Sequence, residues 1–201
     1  MPTIKTLSSE VIVVGGGLAG VCAAIAAARE MKRSLTNATV ILIHDRPVLG
    51  GVSSSEIRVP PIGAGRNPWG FETGIISELM YEERKRNHNR WEMGTANSIW
   101  DIILWEKVKA EPNLILLLNT SVRKVATKEI NQKKIVESIS AVQLGNEFEY
   151  HINGKIFIDC SGDSIVGFES GADIISGREA KTSYQESLAL EVADDACMGS
   201  S

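Results

Sequence analysis

Three glycines near the start of the sequence have the spacing of a loop that can hold a diphosphate. Gly15, Gly17 and Gly20 follow residues 11–14, an apolar, β-branched run that predicts a buried strand, and Leu18–Arg33 is rich in alanine and predicts a helix. Between a strand and a helix, such glycines allow a tight turn, close approach of a pyrophosphate to the backbone, and binding of its charge at the helix N-terminus. A glycine-rich turn that binds nothing is the alternative. The predicted phosphate loop comprises Gly15, Gly16, Gly17, Leu18, Ala19 and Gly20.

Ionisable residues follow the second predicted strand, where dinucleotide folds place a ribose ligand. Val40–Ile43 predicts this strand, and His44, Asp45 and Arg46 come directly after it. An acidic side chain about 20 residues beyond the glycine loop commonly bonds the ribose hydroxyls. In one interpretation Asp45 reaches the ribose or His44 makes a weaker contact, and a role shared by the two is favoured. In the alternative, both are ordinary loop residues.

A glycine pair in the next loop favours FAD over NAD as the dinucleotide. Gly50 and Gly51 have no side chains, so a second stretch of backbone can approach the cofactor, which an extended FAD needs more than NAD does. The residues that follow have amides and hydroxyls suited to phosphate or flavin polar atoms, although a serine-rich surface loop is the alternative. They are Val52, Ser53, Ser54 and Ser55.

A late apolar strand ends in a turn of small residues. Residues 155–159 predict the strand, and Cys160, Ser161, Gly162 and Asp163 form the turn. Small residues let such a turn pass beneath a dinucleotide without steric conflict. Asp163 bonds the ribityl or diphosphate region through water in one interpretation and caps the following helix in another. Cys160 is interpreted as a packed residue rather than a nucleophile, because no His or Lys stands beside it.

The order of these elements predicts an α/β fold with a Rossmann-like, FAD-binding βαβ unit and a parallel sheet. Apolar patterns predict helices around 75–80 and 99–108 and a strand at 114–118. Residues 121–127, 135–143 and 147–152 predict an antiparallel β-meander at one edge. We therefore predict a discontinuous FAD-binding domain at 1–60 and 113–178. A mainly helical insertion at 61–112 and an irregular tail at 179–201 complete the chain.

Composition and charge limit the partners and the kind of site. The net charge of −4 gives no reason to expect nucleic acid or an anionic membrane as a partner. The three cysteines, Cys22, Cys160 and Cys197, are far apart, which argues against a disulfide framework and against a metal site. No apolar stretch is long enough to span a bilayer and no leader is visible, so a cytoplasmic location is the default expectation. The sequence identifies no catalytic acid or base and predicts no oligomeric state.

Several stretches together resemble the FAD-dependent oxidoreductases of the glutathione-reductase-like superfamily with two dinucleotide-binding domains. They span nearly the whole chain, and RPVLGG followed by SSSE, with the later DCSGD, is the most specific combination. The stretches are VIVVGGGLAGVCAAIAAAR, LIHDRPVLGGVSSSEIRV, WGFETGIISEL, LWEKVKAEPNLILLLNTSV and FIDCSGDSIVGFESGADIISGREA.

The resemblance implies roles for the residues of the predicted site. Gly15, Gly17 and Gly20 would hold the pyrophosphate, and residues 50–55 would line the flavin. The backbone of Val122 would meet the adenine. Residues 160–163 stand where relatives carry an Ala/Cys-Thr-Gly-Asp turn.

The chain departs from these relatives in two respects. They usually carry Glu at the position of His44, which leaves the ribose contact open. They also continue well beyond the position of Ser201, so the resemblance implies an N-terminal piece whose substrate domain would follow.

The leading functional hypothesis is the FAD-binding portion of a flavin-dependent oxidoreductase. It would transfer hydride or electrons between a small organic substrate and FAD. Two alternatives stay open at this stage. One is a dehydrogenase domain that uses NAD(P) alone, and the other is a non-catalytic dinucleotide-binding module.

Overall fold

The computed structural model describes residues 3–34, 37–61, 63, 70–87 and 98–196. They form a six-stranded sheet in the order β3-β2-β1-β6-β5-β4, with helices packed against it. Strands β1, β2, β3 and β6 are parallel to one another, and β4 and β5 continue the sheet in an antiparallel meander with β6. The predicted α/β Rossmann-like fold class is thus confirmed. The strands are β1 Thr3–Val14, β2 Val40–Ile43, β3 Leu114–Leu117, β4 Thr120–Ile130, β5 Lys133–Gln143 and β6 Phe148–Asp159.

The first βαβ unit forms the centre of the molecule. Helix α1, Leu18–Arg33, joins β1 to β2 and has the predicted bounds. Val11 and Val13 of β1 pack with α1 in one apolar cluster, whereas Ile12 and Val14 pack in a second cluster on the opposite face. Because both faces of the strand are covered, every one of its last four residues is apolar, as is typical of a central parallel strand.

Two helices from the middle of the chain cover the same face as α1. Helix α2 spans Gly74–Arg86 and helix α3 spans Ser98–Lys109, and the side chains of Leu79 and Trp100 are fully buried in the cluster that contains α1. Both helices lie in the predicted insertion, whose residues 62, 64–69 and 88–97 are outside the described part of the chain. Arg29 of α1 pairs with Glu78 of α2 at 2.7 Å and with Glu111 at 2.8 Å, so α1, α2 and the segment before β3 are tied together by charge.

The long pairing of β1 with β6 corrects two predictions. Residues 147–152 and 155–159 were predicted as separate strands, but β6 is one continuous strand. β1 begins at Thr3 rather than at residue 11, and its polar first half pairs with the first half of β6, from Thr3 opposite Phe148 onwards. Lys5 lies 3.5 Å above the Phe148 ring and adds a cation–π contact to this pair. No local apolar pattern marks residues 3–9, because their partner is far away in the sequence.

The chain after β6 carries two short helices. Helix α4 spans Ile165–Glu169, and helix α5, a single turn, spans Lys181–Tyr184. Arg178 pairs with Asp194 through both side chain and backbone. These contacts hold two distant parts of the segment after α4 together. Residues 197–201, including Cys197, are outside the described residues. Among the helices of the described ranges, none combines the length and apolar character needed to cross a membrane.

Candidate functional site

Strands β1, β2 and β6 end at the same edge of the sheet. Val14, the last residue of β1, pairs with Ile43 of β2 and with Asp159 of β6. The strand order reverses at β1, because the chain leaves it towards β2 and returns on its other side in β6. Open α/β sheets bind ligands at such a point, outside the carboxyl ends of the strands. The turns after these three strands therefore form the candidate site.

Two glycines of the first turn are fixed by backbone that passes against them. Gly15 has φ +104°, and a Cβ there would overlap the Cys160 carbonyl. A Cβ on Gly20 would overlap the Gly15 carbonyl. Glycine is required at both positions because main chain takes the space of a side chain. This agrees with the tight turn and close helix packing that the sequence predicts.

Gly17 lies in a different environment from its two neighbours. It is the N-cap of α1 and has extended backbone with φ −63°, and a Cβ built on it meets nothing within 4 Å. No side chain caps the helix and no acidic residue lies in its first turn. The first N–H groups of a helix have no partner within the helix, and they carry the positive end of its dipole. The open space at Gly17 thus adjoins a helix end that can receive an anion.

The glycine pair after β2 lies directly against this turn. The Gly50 N–H donates to the Gly16 carbonyl at 2.8 Å, and Gly17 and Gly50 form a β-bridge. A Cβ on Gly51, which has φ +58°, would lie 3.1 Å from the Gly17 Cα. Two stretches of bare backbone, more than 30 residues apart in the sequence but adjacent in space, therefore meet at the N-terminus of α1.

Two of the three serines after the glycine pair form hydrogen bonds within the protein. Ser53 and Ser54 are buried, and the Ser54 hydroxyl donates to the Gly51 carbonyl at 2.7 Å. Ser55 uses both its N–H and its hydroxyl to bond Asp101 of α3. The hydroxyls of Ser54 and Ser55 thus hold the loop to itself and to the helical insertion. Val52, in the short 3-10 turn Gly51–Ser53, is exposed.

Asp159 organises the turn after β6, a role that the sequence analysis missed. Its carboxylate accepts hydrogen bonds from the Ser161 N–H and hydroxyl and from the N–H groups of Val166 and Gly167. Burial raises the pKa of this carboxyl, but these hydrogen bonds outweigh burial and leave the pKa lowered. The capping role considered for Asp163 belongs to Asp159. An Asp two residues before a Ser is a known local turn pattern, and this signal was available in the sequence.

The rest of this turn faces open space. Gly162 has φ +84°, and a Cβ there would meet nothing within 4 Å. Asp163 is exposed and makes no side-chain hydrogen bond to the described residues. Cys160 is partly buried, and its N–H donates to the Val14 carbonyl at 2.7 Å, which fixes the turn beside Gly15. Burial and, next, the charge of Asp159 raise the pKa of the Cys160 thiol, so it is not an activated nucleophile.

The residues after β2 separate into a buried and an exposed group. The His44 side chain is 5% exposed, and its Nδ1 accepts a hydrogen bond from the Gly16 N–H at 3.0 Å. Asp45 is 65% exposed, and its Oδ1 lies 3.4 Å from the same Nδ1. Arg46 is exposed and pairs with Glu56 at 3.3 Å. Of the predicted ribose ligands, the Asp45 side chain is therefore exposed, whereas the His44 ring is buried and hydrogen-bonds to the glycine turn.

Val122 lies in β4, near the carboxyl end of β2. It pairs with Ala141 of β5 beside a register shift, and the Thr120 N–H two residues earlier donates to the His44 carbonyl at 2.8 Å. The start of β4 is thereby joined to the end of β2. This places the backbone of Val122 on the His44–Asp45 side of the candidate site, where the resemblance implies the adenine.

Other features of the structure lie away from this edge. A cavity of about 340 Å³ opens beside the middle of β1 and β6 and the start of β2, lined by residues that include Ser9, Thr39 and Lys155. Across the ranges that the structure describes, no three His, Cys, Asp or Glu side chains are grouped so as to hold a metal ion.

Comparisons with known proteins agree with this geometry. A model of the family described as FAD dependent oxidoreductase matches residues 10–199. No curated protein matches the sequence.

Solved structures show the same fold at low sequence identity. THI4 of Thermovibrio ammonificans is 15% identical with a TM-score of 0.55, over 92% of this chain and 76% of that one. Adenylylsulfate reductase of Archaeoglobus fulgidus is 13% identical with a TM-score of 0.53, over 80% of this chain and 31% of that one. The flavin-dependent monooxygenase PieE, solved with FAD and substrate, is 16% identical with a TM-score of 0.52, over 86% of this chain and 33% of that one. The chain thus spans about a third of the length of the last two.

Proposed function

Because this chain belongs to the FAD-dependent oxidoreductase family, we propose that its three converging turns hold FAD and that it forms the FAD-binding portion of a redox enzyme. FAD is the cofactor of the family. The enzyme would transfer hydride or electrons between a small organic substrate and the flavin. The open helix end at Gly17, with a second glycine backbone beside it, is the observation that carries the proposal.

The diphosphate is assigned to the N-terminus of α1. A ligand phosphate can enter the space beside Gly17, because no protein atom lies where its side chain would be. The N–H groups of Leu18 and Ala19 are in the first turn of the helix, where they have no partner within the helix. With no acidic residue in that turn, nothing there repels the charge of the ligand.

The glycine pair supports FAD over NAD(P) alone. Gly50 and Gly51 lie against Gly16 and Gly17, so the diphosphate groove continues along a second bare backbone. Gly162, where the position of a Cβ is also open, lies at the same edge of the sheet in the turn after β6. An elongated cofactor would run past all three turns, and the family match favours the same cofactor.

The adenosine half is assigned to the β2 side of the site. Asp45 is exposed at the end of β2 and can accept hydrogen bonds from ribose hydroxyls. The backbone of Val122 would meet the adenine. Arg46, paired with Glu56, would border the same region. The division into an FAD-binding domain at 1–60 and 113–178 and a helical insertion at 61–112 belongs to this proposal, as does a location in the cytoplasm.

The chain's own residues bind and orient the cofactor in this proposal. FAD, when bound, supplies the hydride or electron transfer. Backbone N–H groups of the first turn neutralise the diphosphate, and the turn held by Asp159 keeps side chains out of the cofactor's path.

Binding of added FAD by the purified chain tests the proposal, with Gly17→Val as the decisive variant. We expect wild type to bind FAD, measured by flavin fluorescence, and Gly17→Val to lose binding because the valine side chain occupies the phosphate's place. The backbone at Gly17 has an ordinary φ and its Cβ meets no atom, so the variant should keep the urea unfolding midpoint of wild type.

Ala26→Val is the matched control, because Ala26 is exposed farther along the same helix. It should bind FAD like wild type. Equal binding by Gly17→Val would refute the placement of the diphosphate. A wild-type chain that binds a nicotinamide dinucleotide but not FAD would overturn the proposal in favour of an NAD(P) domain.

A further inference from the structure

We propose that His44 is a positioning residue that couples FAD binding to its own protonation. The neutral ring holds the Gly16 amide in the orientation that the phosphate loop needs, and the charged ring releases it. This inference rests on the proposed function, because it concerns the affinity of the same site for FAD.

The hydrogen bond between Gly16 and His44 fixes the protonation state of the ring. A backbone N–H can only donate, so Nδ1, 3.0 Å away, must be the unprotonated acceptor. An imidazolium carries a proton on both nitrogens and cannot accept this bond. Protonation of His44 is therefore incompatible with the observed position of the Gly16 amide.

Gly16 transmits the change to both glycine turns. Its N–H donates to the His44 ring and its carbonyl accepts the hydrogen bond from the Gly50 N–H, so one residue links the ring to the glycine pair. A Cβ on Gly16 would lie 2.6 Å from the His44 Cγ, which shows how closely the ring is seated against this residue. A shift of Gly16 away from the ring thus moves the backbone on both sides of the proposed diphosphate.

A second partner for Nδ1 is already in place. The Asp45 Oδ1 lies 3.4 Å from it and would accept a hydrogen bond from the protonated ring. Asp45 is also the proposed ribose ligand. Protonation of His44 would therefore free the Gly16 amide and, at the same time, engage the carboxylate that the ribose needs.

The charged groups around the ring set the pH at which this exchange occurs. Asp45, Glu56 and the backbone of Val48 favour the charged form of the ring. Arg46 opposes the charged form. Burial is the largest influence and lowers the pKa of His44 below its ordinary value near 6.5. The ring is consequently neutral at physiological pH and becomes charged only in more acidic solution.

The direction of the pH effect follows from linkage. FAD binds the form with a neutral ring, so binding expels one proton when the pH is below the pKa of the free protein. The affinity should be constant in neutral and alkaline solution. It should fall as the pH drops through the pKa of His44, by up to about tenfold per pH unit, the limit for one proton.

His44→Asn separates the two properties of the ring. The Asn Oδ1 can accept from the Gly16 N–H in place of Nδ1 but does not titrate. We expect this variant to bind FAD about as well as wild type at about pH 8 and to keep that affinity as the pH falls, whereas the affinity of wild type should decrease by up to about tenfold per pH unit below the pKa of His44. His44→Leu, which has no acceptor, should bind weakly at every pH.

His151→Asn is the matched control, because His151 is exposed on β6. It should show the pH profile of wild type. A merely structural role of His44 would give wild type and His44→Asn the same profile, and that result would overturn the inference.

NMR of the imidazole nitrogens gives a measurement that needs no FAD. The Nδ1 of His44 should have the shift of an unprotonated acceptor at neutral pH, and the ring should become protonated only at a lower pH than an ordinary histidine, because burial lowers its pKa. A wild-type chain that fails to bind FAD at any pH would refute the proposed function. FAD binding with no pH dependence, or an Nδ1 that carries a proton at neutral pH, would refute the role of His44 alone.

Discussion

The turns after β1 and β6 lie side by side at one edge of the sheet but are held in place by different means. In the turn after β1, Gly15 and Gly20 have backbone packed where their side chains would be. In the turn after β6, Gly162 has open space on that side, and the carboxylate of Asp159 holds the loop through hydrogen bonds. The first turn is fixed by close packing and the second by a single side chain.

At this binding edge, the turn after β1 is therefore rigid, whereas the turn after β6 can adjust. A side chain at Gly15 or Gly20 would force the neighbouring main chain to move, because the atoms closest to it are backbone atoms rather than the end of a flexible side chain. Hydrogen bonds to an exposed carboxylate can be exchanged for water at a smaller cost. The following predictions test this comparison in the order of expected effect on stability.

Gly20→Ala should have the largest effect. Its new Cβ would overlap the Gly15 carbonyl, so the helix must move away from the strand. We expect a loss of at least about 3 kcal/mol in the free energy of unfolding, at the upper end for overpacked sites. Urea unfolding measures it. Gly167→Ala makes the same change where a Cβ would have ordinary contacts, and it should not be destabilising. Equal stabilities for the two variants would contradict the close packing of the first turn.

Asp159→Asn should have an intermediate effect. An amide has one acceptor oxygen where the carboxylate has two, so some of the bonds from Ser161, Val166 and Gly167 are lost. We expect a loss of about 1–2 kcal/mol, since the carboxylate is largely exposed. Asp163→Asn is the control without hydrogen bonds and should leave urea unfolding nearly unchanged.

The contribution of Asp159 also has a defined pH range. Its pKa is lowered in the folded chain, so the stabilisation is present above the unfolded value of about 3.9 and is lost as the pH falls through the folded value. The stability difference between wild type and Asp159→Asn should therefore persist at neutral pH and disappear in strong acid. A difference that vanished near neutrality would argue against these hydrogen bonds.

Gly162→Ala should have the smallest effect on stability. The backbone at φ +84° disfavours alanine, but no atom blocks its Cβ, so we expect a loss of about 1 kcal/mol. Gly145→Ala is a close match, with φ +91° and equally open space in the turn between β5 and β6. Both variants should unfold at similar urea concentrations. Only Gly162→Ala should weaken FAD binding, and equal binding by both would remove Gly162 from the site.

Local sequence patterns predicted the central βαβ unit well. Leu18–Arg33 and Val40–Ile43 have the predicted bounds, because an alanine-rich helix and a fully buried strand each have a strong local signal. Gly15 and Gly20 of the phosphate loop were also identifiable, since the backbone packed against them leaves no space for a side chain. The convergence of the three turns follows from the parallel order of the strands.

The parts that escaped prediction depend on partners distant in the sequence. Residues 3–9 of β1 are mostly polar, and their pairing with β6 decides their conformation. His44 reads as a surface residue after a strand, but its ring is buried because the Gly16 amide needs an acceptor. No local pattern indicates that the Ser55 hydroxyl bonds Asp101 of α3. In each case a long-range contact overrides the local pattern.

The pairing of β1 with β6 also bears on the synthesis of the protein. β1 is made first, yet one of its two neighbouring strands is translated about 145 residues later. At about 5–20 residues per second, β1 waits on the order of ten seconds on the ribosome for this neighbour, with one edge uncovered. Such a high contact order slows folding and leaves an exposed strand edge in the nascent chain. The ligand-binding edge is therefore among the last parts of the sheet to assemble, and a nascent chain that stops before β6 has no complete site to load.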